Sequence, residues 1–232
     1  VQRSSIGPVM AEKSRFPTPV KAVKLDKVPK RQVPAWRGKT LGEIPHLTRE
    51  DVLRVARAAE RLGRGHKGKR DRLLILTMFD ACLRVSEAIG LRPMDILQGP
   101  RGFRLRVHGK GNRWGEAAVS PSVAAMLYAY IAERELPSDA RIFPITRKRA
   151  HQIVQRAFKE AGVVKPPGTG HCHVLRHSGA LERLRLTRNP RALQEQLRHL
   201  TPDMTLRYFK TLTREEALQI QEEVDLFAGE QS

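Results

Sequence analysis

The stretch HCHVLRHSGALERLRLTRNPRALQEQLRHLTPDMTLRY, residues 171–208, decides how this chain is read. It sets His173, Arg176 and His177 almost together, brings in His199 after a helical stretch, and reaches Tyr208 nine positions later. His173 and Arg176 are three apart at an expected helix start, so they project from one face. An arginine presents a planar fork of donors that matches two oxygens of a phosphate. A phenol titrates at about 10 and becomes a useful nucleophile only where nearby positive charge stabilises the phenolate. Each residue alone also has a plainer reading, as solvated surface or as a half-buried core tyrosine. In one stretch they form a set of phosphate-binding cations followed by a candidate nucleophile.

Outward from that stretch, the composition points to a polyanion. The chain has 232 residues, a net charge of +19 and a pI of about 10.9. An excess of this size suits nucleic acid or an acidic membrane surface. Hydrophobic residues make up 40% of the chain, enough for a core without staples. Cys82 and Cys172 sit in apolar or helical context, which argues for a reducing compartment and against a disulfide framework. The run LLILTMFDACL, residues 73–83, is too short to cross a bilayer and carries Asp80, so it is expected to be a core helix. No secretory signal is visible, and the expected location is cytoplasmic and nucleoid-associated. Val1 at the start, where Met would stand, suggests a fragment, a processed chain or an alternative start.

Residues 1–45 are rich in proline and basic residues and lack periodicity, which predicts a flexible basic arm that can order along a nucleic-acid backbone. Order is expected from Thr48, where Thr48 and Asp51 form a capping box ahead of a helix ended by Gly63 and Gly65. A basic loop then leads to a buried helix from about Arg70 to Leu83, and a short helix spans about Ser86 to Leu91. Phe103, Leu105 and Val107 alternate with polar residues and predict a strand that returns through a basic, glycine-rich turn as a hairpin. From Ser120 onward the chain reads as helical, with Ser120-Pro121, Thr146, Asn189-Pro190 and Thr201-Pro202 as helix starts. Thr213 and Glu216 suggest a capping box for a last helix carrying Ala217, Leu218, Val224 and Phe227 on an apolar surface. The expected class is mainly α with a small antiparallel β-hairpin or sheet (α+β), with a domain over 46–232 following the arm.

Two upstream residues complete the chemistry. Arg84 is the first charge after the buried helix and can face a cleft, with Glu87 placed to orient it by an ion pair. Lys110 stands between two glycines at the hairpin tip and can reach into a groove. LRVSEAIGL around Arg84, VHGKGNRWGE around Lys110, HVLRH at 173–177 and LRHLTPDMTLRY ending at Tyr208 occur in one order. In that order and spacing the chain resembles the tyrosine recombinases, or phage-type integrases, over roughly residues 48–227.

The resemblance implies a tyrosine-recombinase-like catalytic domain acting on double-stranded DNA. Arg84 and Arg176 would clamp the scissile phosphate, and Tyr208 would attack it to give a 3′-phosphotyrosyl link and a 5′-hydroxyl. Lys110 would protonate the leaving oxygen, His173 would act in proton transfer with the nucleophile, and His199 would hydrogen-bond the phosphate. Because the covalent link keeps the energy of the broken bond, no cofactor, ATP or metal is expected. The last helix, 213–227, would dock on a neighbouring protomer and make a homo-oligomer on DNA. Two departures stand out: Arg198 occupies the position before His199 where the family usually has Gly, and Ser178 replaces a common Thr. The arm would be a remnant of, or linker from, a DNA-clamping domain. Competing readings are a type IB-like topoisomerase, a metal-dependent nicking enzyme using His171 and His173, and a non-catalytic DNA-binding protein of the same fold.

Overall fold

The computed structural model describes residues 44–109, 113–199, 201–212 and 214–223. Its elements are α1 (Arg49–Gly63), α2 (Gly65–Asp80), α3 (Val85–Gly90), a 3-10 turn at Pro93–Asp95, β1 (Ile96–Gly99), β2 (Gly102–Gly109) and β3 (Arg113–Val119). These are followed by α4 (Pro121–Glu133), α5 (Arg147–Glu160), α6 (His171–Thr187), α7 (Pro190–Leu197), α8 (Asp203–Phe209) and α9 (Arg214–Glu222).

Helix starts follow from their caps. Thr48 and Asp51 close the expected box on α1, while Ser120, Thr146 and Asn189 accept from the N–H groups of Val123, Arg149 and Ala192. Thr201-Pro202 does not supply such a cap, since Pro202 itself flanks α8 and contributes no side-chain bond. The apolar run is the core helix it was expected to be: Leu74, Ile75 and Met78 of α2 are fully buried. α2 starts at Gly65, five residues earlier than expected, so the basic stretch forms its first turns and is not a loop. The glycines act as spacers there. A Cβ on Gly68 would stand 2.1 Å from the Glu60 carbonyl oxygen, so only glycine lets α1 and α2 approach this closely.

The hairpin is part of a three-stranded antiparallel sheet in the order β1-β2-β3. Leu105 pairs with Ile96 on one side and Ala117 on the other, and Leu105 and Val107 turn into the core. β1 escapes the sequence reading because four residues are too few to show alternation.

A large apolar cluster joins α1, α2, α4, α5, the sheet and the start of α6. A second, smaller one joins Ile44, Cys82, Leu181, Leu184, Leu193, Leu197 and Tyr208. Order therefore begins before Thr48. Ile44 is buried, its N–H donates to Thr211 Oγ1 at 2.9 Å, and the last residues assigned to the arm belong to the core. Residues 1–43, Lys110, Thr213, Val224 and Phe227 lie outside the described residues, and with them most of the arm, the hairpin tip and parts of the last helix. No described helix is long and apolar enough to cross a membrane.

Candidate active site

Arg84 caps α3 and turns back on Glu87. Its backbone N–H donates to Glu87 Oε2 and its Nη1 to Glu87 Oε1, both at 2.8 Å. Glu87 is therefore the orienting carboxylate that the spacing suggested, and it is buried. Arg176 lies in the first half of α6 and is 2% exposed. It donates Nη1 to the Cys82 carbonyl at 2.6 Å and Nη2 to the Leu197 carbonyl at 2.9 Å, with Glu87 Oε2 at 3.6 Å. Burial, with Arg84 nearby, pulls its pKa down to about 10, so it stays charged at neutral pH. Glu87 is held below the usual carboxylate range: burial opposes this, and the guanidinium of Arg198, then those of Arg176 and Arg84, overcome it.

Tyr208 is the penultimate residue of α8 and is 2% exposed. Its hydroxyl is 2.9 Å from His177 Nδ1. Burial pushes the phenol up to about 12 against the pull of Arg176. His177 is pushed down to about 3, first by burial and then by His173 and Arg176, so it is neutral. His173 packs edge-on against His177 with centroids 4.6 Å apart, and is held below its ordinary value by shielding from water and by Arg176 and Arg84. His199 follows α7, meets Thr205 Oγ1 through Nδ1 at 3.0 Å, and lies 6.3 Å from the Tyr208 ring. Burial and Arg176 lower it to about 4.

Arg84, Glu87, Arg198 and His199 line a cleft of about 1060 Å³ whose opposite wall is the hairpin, through Gly109, Arg113 and Trp114. Arg176 and Tyr208 lie behind that lining. The structure thus gathers Arg84, His173, Arg176, His199 and Tyr208, while Lys110 lies outside the described residues between two strand ends that border the same cleft.

His177 is the residue that the sequence reading undervalued. The family resemblance gives it no role, yet its Nδ1 meets the phenol directly. Its position one turn before Leu181, on the face that meets Tyr208, becomes visible only once α8 packs on α6. Gln196 went unremarked: its side chain accepts from Ala118 N–H and donates to the Ala81 and Ala118 carbonyls, which ties α7 to β3. His171 and His173 are two apart on a helix, about 200° around its axis, so they do not converge on a shared ion. His171 packs on Phe158 instead.

The phage integrase family profile matches residues 45–215. The chain is 31% identical over 182 residues to tyrosine recombinase XerC of Nitrobacter winogradskyi, covering 74% of this chain and 55% of that protein. It is 31% identical over 188 residues to tyrosine recombinase XerA of Thermococcus kodakarensis, covering 78% and 62%. The chain spans about half the length of the curated relatives it matches. It shares its fold with the XerH site-specific recombinase bound to difH DNA (TM-score 0.63, 24% identity, 77% of this chain and 54% of that one). The catalytic domain of bacteriophage HP1 integrase is also similar (TM-score 0.57, 20% identity, 78% of this chain and 96% of that one).

Proposed function

The chain belongs to the phage integrase family, and we propose that it is a site-specific DNA recombinase that breaks and rejoins strands through a 3′-phosphotyrosyl intermediate. The observation that carries this reading is the convergence of Arg84, Arg176, His199 and Tyr208, from four separate elements, with Arg84 and His199 lining one cleft and Arg176 and Tyr208 buried beside them. A net charge of +19 supplies the attraction for a DNA backbone.

In this mechanism Arg84 and Arg176 hold the non-bridging oxygens of the scissile phosphate, and His199 donates a further hydrogen bond. Tyr208 Oη bonds to phosphorus as the bond to the 5′-oxygen breaks, and that oxygen leaves as a hydroxyl with a proton from Lys110. The phenol's own proton passes to the histidine pair, and the contact in place gives His177 first access, with His173 behind it. A bound phosphodiester brings negative charge that raises both imidazoles and favours this transfer. At 2% exposure Tyr208 is closed off from the cleft, so α8 shifts for attack to occur. The hydrogen bonds between Thr205 and His199 and between Tyr208 and His177 tie that helix to the site.

The catalytic unit in this proposal begins at Ile44, whose side chain is buried in the core, and the residues before it are a DNA-contacting arm. The last helix assembles protomers on DNA. Its Leu218 is 44% exposed, while Arg185 to Glu216 holds the helix against the end of α6 in this arrangement.

The test is Tyr208→Phe on the full chain. Covalent attachment to a duplex captured by the wild type from a randomised nicked pool should vanish, while the duplex is still bound. A Tyr208→Phe protein that still forms the adduct, or a wild type that forms none, sinks the proposal.

A further inference from the structure

We propose that Arg198 is a positioning residue of the phosphate site, acting through Glu87 to set the charge and the orientation of Arg84 and Arg176. The inference rests on the strand-transfer reading and concerns the same cleft.

Arg198 ends α7 with φ +55° and ψ +42°, the left-handed conformation that glycine adopts easily and that residues with a Cβ resist. Such strain persists where the surroundings impose it and tends to gather at functional sites. Here the side chain is directed into the cleft. Nη1 donates to the Gln196 carbonyl at 2.8 Å, and Nη2 donates to Glu87 Oε2 at 2.7 Å. The opposite strand is shaped to admit it: a Cβ on Gly115 would stand 2.8 Å from Arg198 Cδ. The strained backbone and the missing side chain across from it are separate observations that favour the same placement.

Glu87 is the hub. Arg84 occupies Oε1, while Arg198 and the Arg84 N–H occupy Oε2, and Arg176 stands beyond at 3.6 Å. The backbone of Gly109 closes the remaining side, with a Cβ there 3.8 Å from Oε1. Three guanidiniums thus face one carboxylate, and two positive charges remain unbalanced among these four side chains. A phosphodiester carries one negative charge, and its pentacoordinate transition state carries two. With Arg198 the cluster matches the transition state; without it, only the ground state. Charge arranged in advance for the transition state accelerates the step and not the binding. Arg198 is also the strongest of the charges that keep Glu87 ionised against its burial.

The test uses the full chain, the wild-type-selected duplex and inorganic phosphate as a DNA-free probe. Arg198→Met should slow single-turnover cleavage at saturating DNA by about 100-fold, with duplex affinity changed by no more than about threefold. Arg198→Lys should restore much of the rate. The acid limb of the pH–rate profile should move to higher pH in Arg198→Met, because Glu87 loses its main partner, and phosphate should bind more weakly. Gly115→Ala, which pushes the Arg198 stem aside without removing its charge, should show the same slowing and the same shifted limb; this keeps the test intact if Arg198→Met fails to fold. Wild-type cleavage with an unmoved acid limb in Arg198→Met overturns the inference, and so does a slowed rate matched by equal losses of duplex affinity and melting temperature that lysine does not rescue. If the wild type forms no adduct yet Arg198→Met still weakens phosphate binding, the strand-transfer reading fails and the anion site stands.

Discussion

At the scale of the residue, the site is built by burying charge against fixed dipoles. Arg176 spends both terminal nitrogens on backbone carbonyls from two different segments. A lysine has no planar fork to meet both, so Arg176→Lys should cost about 1–3 kcal/mol of stability in urea titration, from one unmet buried carbonyl. His177 and His199 titrate at about 3 and about 4 in the folded chain, pushed there mainly by burial. Below their ordinary value of about 6.5 the unfolded chain takes up protons that the folded chain refuses. Their contribution is therefore complete above that pH and is lost as pH falls toward the folded values. Thermal melts should show the protein losing no more than about 2 kcal/mol per histidine by pH 5, a ceiling that partial exposure lowers. Flat melting temperatures between pH 7.5 and 5 would contradict this. His177→Gln should flatten part of that slope and slow cleavage without weakening DNA binding.

At the scale of the element, close approach matters more than propensity. A Cβ on Gly179 of α6 would stand 1.8 Å from the Phe79 carbonyl oxygen of α2. Gly179→Ala must push these helices apart, and should cost about 1–3 kcal/mol in denaturant titration. Because Arg176 is on the same helix and reaches Cys82 just past α2, the change should also lower cleavage. Glycine spacings of this kind read as breaks in the sequence, which is why α2 was expected to start five residues late. Periodicity and caps located α1, α3, α4, α5 and α7 well, since each carries its own signal within its span. Arg198 is the opposite case. Its replacement of glycine was visible at once, but its meaning required the strand that passes over it.

At the scale of the whole molecule, the cationic excess predicts how binding responds to salt. Affinity for duplex DNA should fall by about 10³–10⁵ between 50 and 200 mM salt, through release of counterions from the phosphates covered. Filter binding or fluorescence anisotropy across that range checks it, and a flat response would contradict the role given to the +19 charge. Arg84, Arg104 and Arg113 around the cleft are the cations placed to contribute.

The sequence by itself determined the class of fold, the starts of the capped helices α1, α4, α5 and α7, and Arg84, His173, Arg176, His199 and Tyr208 as groups that the fold gathers. Those features depend on residue type and on spacing within one element, and both are written locally. The tertiary structure alone decided which histidine holds Tyr208, that the phenol rests buried in the core, and that Glu87 serves three arginines from α3, α6 and α7. Each of these is a contact between segments distant in the chain, fixed by how closely helices pack and by what burial does to charge. No local pattern encodes either one. For the stretch from His171 to Tyr208, the residues supply the candidate groups, and the packing of α8 on α6 sets which of them touch.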